Sequence, residues 1–323
     1  MTTFTIQPES KTRLDELLRK ELPVLTKLEI SNSKIRRLIM AGCIRVNGKE
    51  VRIPSYTVFA GSKVEAFVDT EKMLYEKQAD DVQFEVTPDS VLYEDEYLIF
   101  INKPTRFPTE KTIVTDRDNL HDAVVRYLWS KNPSLRNPPY VGIMHRLDRE
   151  TSGVILFTKK RDVNKAIFDM FDSSKLDLSD SKFDISGNPD KQKRPVTKTY
   201  VAAVKDSASI KNDFTVKNYL GRITSKSAGC KWGEVSEKNG GVIAVTEFKV
   251  LKRENGLCYL ECHPVTGRTH QIRIHLSGRG CPIVGDSLYG GTKAERLCLH
   301  AKSLELKHPV SGEQLFVSAE FDF

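Results

Sequence analysis

Residues 145–153 read HRLDRETSG and lead directly into the apolar run VILFTK. Four charged side chains and a histidine therefore adjoin what reads as a buried strand, and Gly153 is expected to let the chain turn into it. Asp148 has Arg146 and Arg149 within two positions, and a nearby guanidinium favours an ionised carboxylate. An ionised carboxylate can act as a nucleophile or a base. From this stretch alone, a salt-bridged loop that caps a strand remains the alternative to a catalytic aspartate.

A second polar stretch, HPVTGRTHQIRIHLSGRG, occupies residues 263–280. Its alternation predicts a strand, because successive strand side chains point to opposite faces. The apolar face would hold Ile272, Ile274 and Leu276, and the polar face Gln271, Arg273 and His275. An arginine in the middle of a sheet is costly unless it meets a carboxylate or a phosphate. With Arg268 and His270 arriving from the preceding turn, the stretch predicts a functional site.

Tyr200 lies in KTYVAAVK, residues 198–205, which also alternates like a strand. The residues alone leave two interpretations open. Tyr200 is either a buried core tyrosine or a flat ring that stacks on a base and offers a hydroxyl for hydrogen bonding.

Composition limits the class of protein. The chain has 323 residues, 39% of them hydrophobic, and a net charge of +7, which suits a polyanionic partner such as nucleic acid. Its six cysteines show no disulfide framework. A zinc site at Cys258, Cys262 and His263 lacks a second ligand cluster at suitable spacing, so buried apolar cysteines are favoured. With no signal peptide and no membrane-spanning run, we expect a cytoplasmic protein with no membrane partner and no metal, and a monomer by default.

The first 70 residues form a small basic unit. TRLDELLRKEL predicts a helix, and SNSKIRRLIMAG predicts a second helix capped by Ser31 or Ser33. CIRVNGKEV then predicts a hairpin with Asn47-Gly48 at its turn. The cations of this second helix and hairpin are Lys34, Arg36, Arg37, Arg45, Lys49 and Arg52. They suit phosphate contacts, although a solvated helix face would look similar.

The rest of the chain predicts an α+β domain. Residues 71–86 are polar and read as a linker, and the second domain covers 87–323. YLIFIN and SGVILFTK predict buried strands, while HDAVVRYLWSK and VNKAIFDMF predict flanking helices. Residues 172–195 are rich in Ser, Asp and Lys and predict an exposed insertion or mobile loop. The strands that follow indicate a large mixed, mainly antiparallel β-sheet.

Two family resemblances follow from these motifs. RLDELL, SNSKIRRLIMAGCIRVNGKEV and GSKVEAFV, in that order, resemble the S4 RNA-binding domain, a small α/β unit. INKP, HRLDRETSG, KTYVA, TGRTHQIRIHL and PIVGDSLYG together resemble the RluA family of RNA pseudouridine synthases. That resemblance implies isomerisation of uridine to pseudouridine in structured RNA, without a cofactor or metal.

The resemblance also implies residue roles. Asp148 matches the family's essential aspartate, and Tyr200 matches the tyrosine that stacks on the base. Arg273 is our choice for the arginine that pairs with the aspartate, with Arg268 as the second candidate. Arg146 matches the position that inserts into the RNA as the uridine leaves the stack, as base flipping requires. We assign RNA contact to Arg146, Arg268, His270 and Gln271, and in the first unit to Lys34, Arg36, Arg37 and Arg45.

Some points stay open from the sequence. After INKP this chain has TRFPTEKT, where the family pattern differs, so no role is carried onto that loop. Large-subunit ribosomal RNA is the favoured substrate, and transfer RNA is the alternative. A catalytically inactive RNA-binding protein is a further alternative, as is a hydrolase that uses Asp148 and Glu150 as a carboxylate pair.

Overall fold

The computed structural model describes residues 2–28, 30–68, 81–110, 118–175, 194–207, 210, 212–223 and 231–323. By its contacts the chain divides into two compact units. One comprises Met1–Asp81 with Glu110–Asp118, and the other Val82–Thr109 with Asn119–Phe323. Most of the predicted linker (71–80) and most of the predicted insertion (176–193) lie outside the described residues.

The first unit pairs two helices with a small sheet. Its elements are β1 (Thr2–Ile6), β2 (Thr12–Arg13), α1 (Leu14–Thr26), α2 (Asn32–Met40), β3 (Ile44–Val46), β4 (Lys49–Glu50), β5 (Thr57–Val58) and β6 (Val64–Val68). The sheet order is β1-β6-β3-β4, and β2 pairs with β5. One apolar core joins both helices to the sheet.

Local signals place these elements where the sequence predicts them. Ser31 caps α2, its hydroxyl accepting a hydrogen bond from the Lys34 N–H at 3.3 Å. Asn47 and Gly48 both have positive φ, 50° and 79°, as a two-residue hairpin turn requires. Arg36 and Arg45 are exposed, so this unit presents cations on its surface.

The second unit is built on an eleven-stranded sheet. Its strands are β7 (Val91–Glu94), β8 (Leu98–Lys103), β9 (Gly142–Ile143), β10 (Ser152–Thr158), β11 (Val196–Lys205), β12 (Phe214–Arg222), β13 (Trp232–Glu234), β14 (Val242–Glu254), β15 (Leu257–Pro264), β16 (Leu299–Lys307) and β17 (Gln314–Ser318). Its helices are α3 (Leu120–Lys131), α4 (Asn164–Phe171) and α5 (Gln271–Gly278).

The main path of this sheet runs β13-β12-β14-β15-β11-β16-β10-β8-β7, with β17 beside β16 and β9 beside β10. Among the described strands, β10 and β16 form the one parallel pair, and the other pairs are antiparallel. The predicted α+β architecture on a large mixed, mainly antiparallel sheet is confirmed.

Helices cover both faces of the central strands. On one face, Ile99 of β8 and Ile155 of β10 pack with Val124 of α3. On the other, Phe100 and Leu156 of the same strands pack with Ile167 of α4. Since both faces are buried, these strands are continuous apolar runs rather than alternating ones. No helix in the described part of the chain is long and apolar enough to cross a lipid bilayer.

The structure corrects the prediction for residues 271–276. They form helix α5 rather than a strand, and every side chain from Gln271 to Leu276 is buried. Ile272 and Ile274 alternate with polar residues in the sequence, but the two kinds of side chain do not lie on separate buried and exposed faces. The helix is enclosed against β13, β14 and β15, so its polar residues are buried as well and have to find partners inside the protein.

Gly153 also differs from its predicted role, because it lies within β10 rather than at a turn before the strand. Its φ is 108°, and a Cβ there would lie 2.2 Å from the carbonyl oxygen of Ala301. Glycine is required because β10 and β16 approach so closely at this point. Cys258 and Cys262 are fully buried apolar residues, as the sequence predicts.

Candidate active site

The loop that carries Asp148 is fixed through its backbone. Leu147 is buried, its N–H donating to the hydroxyl of Thr109 at 3.3 Å and its carbonyl accepting from that hydroxyl at 2.8 Å. The Asp148 carbonyl accepts from the Thr151 N–H at 3.1 Å. Arg146 is exposed and the Asp148 side chain is 28% exposed. The carboxylate therefore projects from an anchored backbone while remaining accessible to a substrate.

Lys103, the last residue of β8, holds the Asp148 loop against residues 104–109. Its fully buried ammonium donates to the carbonyls of Pro104 at 2.9 Å, Phe107 at 2.7 Å and Arg149 at 3.0 Å. Burial lowers the pKa of Lys103 to about 7, and the charges of Glu150 and Asp148 oppose that shift. Residues 104–109, to which the sequence assigned no role, are thus tied to the Asp148 loop through the Lys103 ammonium.

Arg273 is the cation that approaches Asp148. Its Nη1 lies 3.7 Å from Asp148 Oδ2 and 4.0 Å from Glu150 Oε2, and its side chain is only 5% exposed. Its Nε and Nη2 donate to the two oxygens of Asp286, each at 2.8 Å. Burial works against the charged guanidinium, but the hydrogen bonds and charge of Asp286 outweigh it and raise the pKa of Arg273.

Asp286 is a residue that the sequence analysis missed. It is fully buried, and its Oδ1 also accepts from the N–H groups of Leu288 and Tyr289, both at 3.2 Å. The bidentate pair fixes the plane of the Arg273 guanidinium. The stretch VGDSLYG contained the signal, a lone aspartate in an otherwise apolar and glycine-rich segment that follows a buried arginine.

His270 is a second neighbour of the carboxylate, with its Nε2 3.8 Å from Asp148 Oδ2. Its φ of 56° places it in the left-handed region just before α5. Its Nδ1 is 2.9 Å from the hydroxyl of Tyr289, which donates in turn to the carbonyl of Trp232 at 3.1 Å. Because that hydroxyl donates elsewhere, we assign the hydrogen of the neutral ring to Nδ1. Burial lowers the pKa of His270, which favours this neutral form.

Tyr200 lies on β11 and packs against the apolar clusters on both sides of that strand. Burial raises the pKa of its hydroxyl, and the negative charge of Asp148 raises it further. The phenol therefore stays protonated at neutral pH, and Asp148 is close enough to act on it electrostatically.

The structure separates the remaining candidates. Gln271 is buried and uses all its hydrogen-bonding groups internally, with Thr266, the Arg268 N–H, the Val245 carbonyl and Thr246. Every polar atom of its amide has an internal partner, so the predicted RNA contact of Gln271 would require it to give up one of these hydrogen bonds. Arg268 donates to the Ile243 carbonyl at 3.2 Å and to Ser173 at 3.3 Å instead of reaching Asp148. The basic residues Lys34, Arg36, Arg37 and Arg45 lie in the first unit.

The second unit has a large mixed sheet and an accessible aspartate near an arginine and a protonated tyrosine. Together with the separate basic unit of helices and a hairpin, these features indicate an enzyme that acts on nucleic acid. Comparison with known families identifies it further. The RNA pseudouridylate synthase family matches residues 97–278, and the S4 domain matches residues 12–64. The chain belongs to the RluA family of RNA pseudouridine synthases and is an isomerase that converts uridine to pseudouridine in RNA.

Relatives match along nearly the whole chain. The ribosomal large subunit pseudouridine synthase C of Rickettsia felis is 30% identical over 96% of this chain and 93% of its own length. The protein of the same name from Escherichia coli K12 is 30% identical over 97% of this chain and 91% of its own. Human RNA Pseudouridylate Synthase Domain Containing 4 shares the fold, with a TM-score of 0.53 and 22% identity over 72% of this chain and 89% of that structure.

Proposed function

We propose that the chain isomerises specific uridines in large-subunit ribosomal RNA. Two relatives that match over most of their length carry the name of ribosomal large subunit pseudouridine synthases. The S4 match and the net charge of +7 support a large, structured polyanion as the substrate. We further propose that residues 1–70 form the RNA-binding domain, 71–86 the linker and 87–323 the catalytic domain.

In this proposal Asp148 is the catalytic residue. The reaction breaks the bond from ribose C1′ to uracil N1 and forms a bond from C1′ to C5. The proton lost from C5 is balanced by one gained at N1, so the overall change is an isomerisation. An ionised carboxylate beside the sugar can attack it or remove a proton from it. The proximity of Asp148 to the guanidinium of Arg273, at 3.7 Å, is the observation that carries this assignment.

Tyr200 and Arg146 take supporting roles in the proposal. A protonated phenol beside Asp148 offers a flat face for the uracil and a hydroxyl that can donate a hydrogen bond. Arg146 is exposed one position before the buried Leu147, so its guanidinium can reach into an RNA helix while the loop stays anchored. Flipping the uridine costs a few kcal/mol of unstacking, which such an insertion offsets.

We propose that the chain acts as a monomer. Asp148, Tyr200, Arg273 and His270 all come from one chain and one compact unit. Light scattering on the purified protein at the concentration used for the assay measures this directly, and a mass of twice 36.6 kDa would contradict it.

The substrate is tested by incubating the purified protein with unmodified transcripts of large-subunit ribosomal RNA and, separately, of transfer RNA. Pseudouridine is then mapped at single-nucleotide resolution. We expect product at defined uridines of the ribosomal transcript. Product in transfer RNA alone would overturn the ribosomal assignment, free uracil would indicate the hydrolase, and binding without product would indicate an inactive RNA-binding protein.

A further inference from the structure

A group of three cations lies beside the residues around Asp148. This cation cluster consists of Arg194, Lys198 and Arg268. Lys198 is two positions before Tyr200 on β11, and the pairing of β11 with β16 shifts register between Thr199 and Tyr200. Arg268 is two positions before His270, whose Nε2 is 3.8 Å from Asp148. The cation cluster therefore adjoins the candidate active site.

The ammonium of Lys198 has Phe171 and Gly267 as neighbours. Its Nζ is 5.5 Å from the centre of the Phe171 ring, which stacks on the His145 ring at 4.5 Å. The same Nζ is 3.5 Å from the position that a Cβ on Gly267 would occupy. The charge of Lys198 also contributes to the lowered pKa of His145, the residue that opens the Asp148 loop. Gly267 thus leaves open the space next to this ammonium.

Among the residues that the structure describes, the cation cluster carries more positive charge than the carboxylates that act on it. Glu247 pairs with Arg194 at 2.6 Å, while Asp172 acts on Arg268 from a longer distance. Lys198 has no carboxylate and no hydrogen-bond acceptor among the residues that the structure describes. Burial, with the charges of Arg268 and Arg194 added, lowers the pKa of Lys198 to about 8. An ammonium in such a place is costly without an anion.

We propose that Lys198 and Arg268 bind a backbone phosphate of the RNA next to the flipped uridine. The inference rests on the RNA pseudouridine synthase activity of the family. A nucleotide that enters the pocket brings its flanking phosphates with it, and a phosphate would supply the anion that Lys198 lacks. Arg194, the third member of the cation cluster, is already paired with Glu247. Such a contact does not recognise a base. It fixes the position of the RNA strand relative to Asp148.

The first test compares Lys198→Met with Lys205→Met, which changes the exposed last lysine of the same strand. The substrate is any transcript that the purified wild-type protein modifies, whether ribosomal or transfer RNA. We expect Lys198→Met to lower kcat/KM about tenfold, mainly through a higher KM, because one charge-assisted contact is lost. Lys205→Met should stay within about twofold, as expected for an exposed charge. Unchanged kcat/KM in Lys198→Met would overturn the proposal.

The second test separates phosphate binding from a structural role. Synthetic RNAs carry a single neutral methylphosphonate at each linkage around the target uridine in turn. At one linkage we expect the methylphosphonate to lower kcat/KM of the wild type about tenfold. The same substitution should change kcat/KM of Lys198→Met little, because this variant has already lost the contact. Equal losses in both proteins at every linkage would show that Lys198 only supports the fold. Arg268→Gln should show the same selective insensitivity and serves if Lys198→Met fails to fold.

These outcomes are independent of the ribosomal assignment. If transfer RNA proves to be the substrate, the same comparison is made on that RNA, and the proposed substrate fails while the phosphate contact is still tested.

Discussion

The side chain of Asp148 is accessible while its backbone is held in place, and neighbouring residues account for both properties. Leu147 anchors the backbone in the apolar core, whereas the side chain of Asp148 remains 28% exposed. Arg273 lies close to this carboxylate, but its Nε and Nη2 donate hydrogen bonds to Asp286. The guanidinium is thereby held at 3.7 Å without closing over the carboxylate. An arginine that paired fully with Asp148 would compete with the substrate for it.

Asp148→Asn tests the assignment of the carboxylate. The amide keeps the shape of the side chain but cannot act as nucleophile or base, so we expect no detectable pseudouridine. RNA affinity should remain within a few-fold, because phosphate contacts supply most of the binding. Product formation is measured on the mapped transcript, and affinity by filter binding. Appreciable pseudouridine from this variant would disprove the role of Asp148.

His145 predicts a pH dependence of stability. Its Nε2 accepts a hydrogen bond from the Leu156 N–H at 3.0 Å, which requires an unprotonated nitrogen. Burial, with the Lys198 charge added, lowers the pKa of His145 to about 3. The unfolded chain has the ordinary value of about 6.5, so it binds the proton more readily and stability falls as the pH drops below that value. The slope from this one group is at most about 1.4 kcal/mol per pH unit.

His145→Gln provides the comparison, since the glutamine can accept a hydrogen bond but does not titrate. We expect urea unfolding between pH 6.5 and 4.5 to show a steeper loss of stability in the wild type than in this variant. Parallel pH profiles for the two proteins would mean that His145 does not remain neutral in the folded state.

At the level of the element, the end of β8 controls the site through a single side chain. Three backbone carbonyls from two loops converge on the Lys103 ammonium. The strand thereby fixes residues 104–109 and the Asp148 loop in one arrangement. Thr105 adds a second tie, its hydroxyl donating to the Glu150 carbonyl at 2.6 Å.

Lys103→Met should therefore affect both stability and activity. Three carbonyls would lose their buried donor, and unsatisfied buried polar groups cost about 1–3 kcal/mol each before relaxation. We expect a loss of at least about 2 kcal/mol in the free energy of unfolding and slower product formation at saturating RNA. Lys205→Met, which also replaces a strand-terminal lysine, is the control. If the two variants unfold at the same urea concentration, the Lys103 contacts contribute nothing to stability.

The elements differ in how far the sequence predicts them. Strands β8 and β10 are continuous apolar runs between turn signals, so their burial is readable. Helix α5 was predicted as a strand, because Ile272 and Ile274 alternate with polar residues that long-range partners bury. Arg273 is a clear example, since its partner Asp286 lies 13 positions further on in a loop. Asp148, Tyr200 and Arg273 were identifiable through motifs, whereas Lys103 and Asp286 lie in recognisable motifs whose long-range contacts the sequence does not reveal.

At the level of the whole molecule, the candidate active site and the S4 domain occupy separate compact units. The described residues of the active site all belong to the second unit, and the S4 match lies in the first. Each unit has its own apolar core. This division predicts that catalysis and RNA recognition can be weakened separately.

Deleting residues 1–70 tests that division. We expect the remaining chain to unfold cooperatively, because its core does not draw on the first unit. RNA affinity should fall, or modification should spread to additional uridines, since phosphate contacts would be lost. Circular dichroism reports folding, and mapping of pseudouridine in ribosomal transcripts reports site choice. Modification of the same uridines at unchanged efficiency would refute the proposed role of the first unit.

The close contact between β10 and β16 also bears on when the enzyme becomes active during its synthesis. Ser152 and His300, which lie 148 positions apart, meet at this contact. Asp148 and Tyr200 leave the ribosome well before the strand beside them has been translated. Contacts between such distant segments form late, because a long loop must close before they stabilise anything. A nascent chain therefore carries Asp148 and Tyr200 before the sheet beside them is complete, and we expect it to modify no RNA until β16 has emerged.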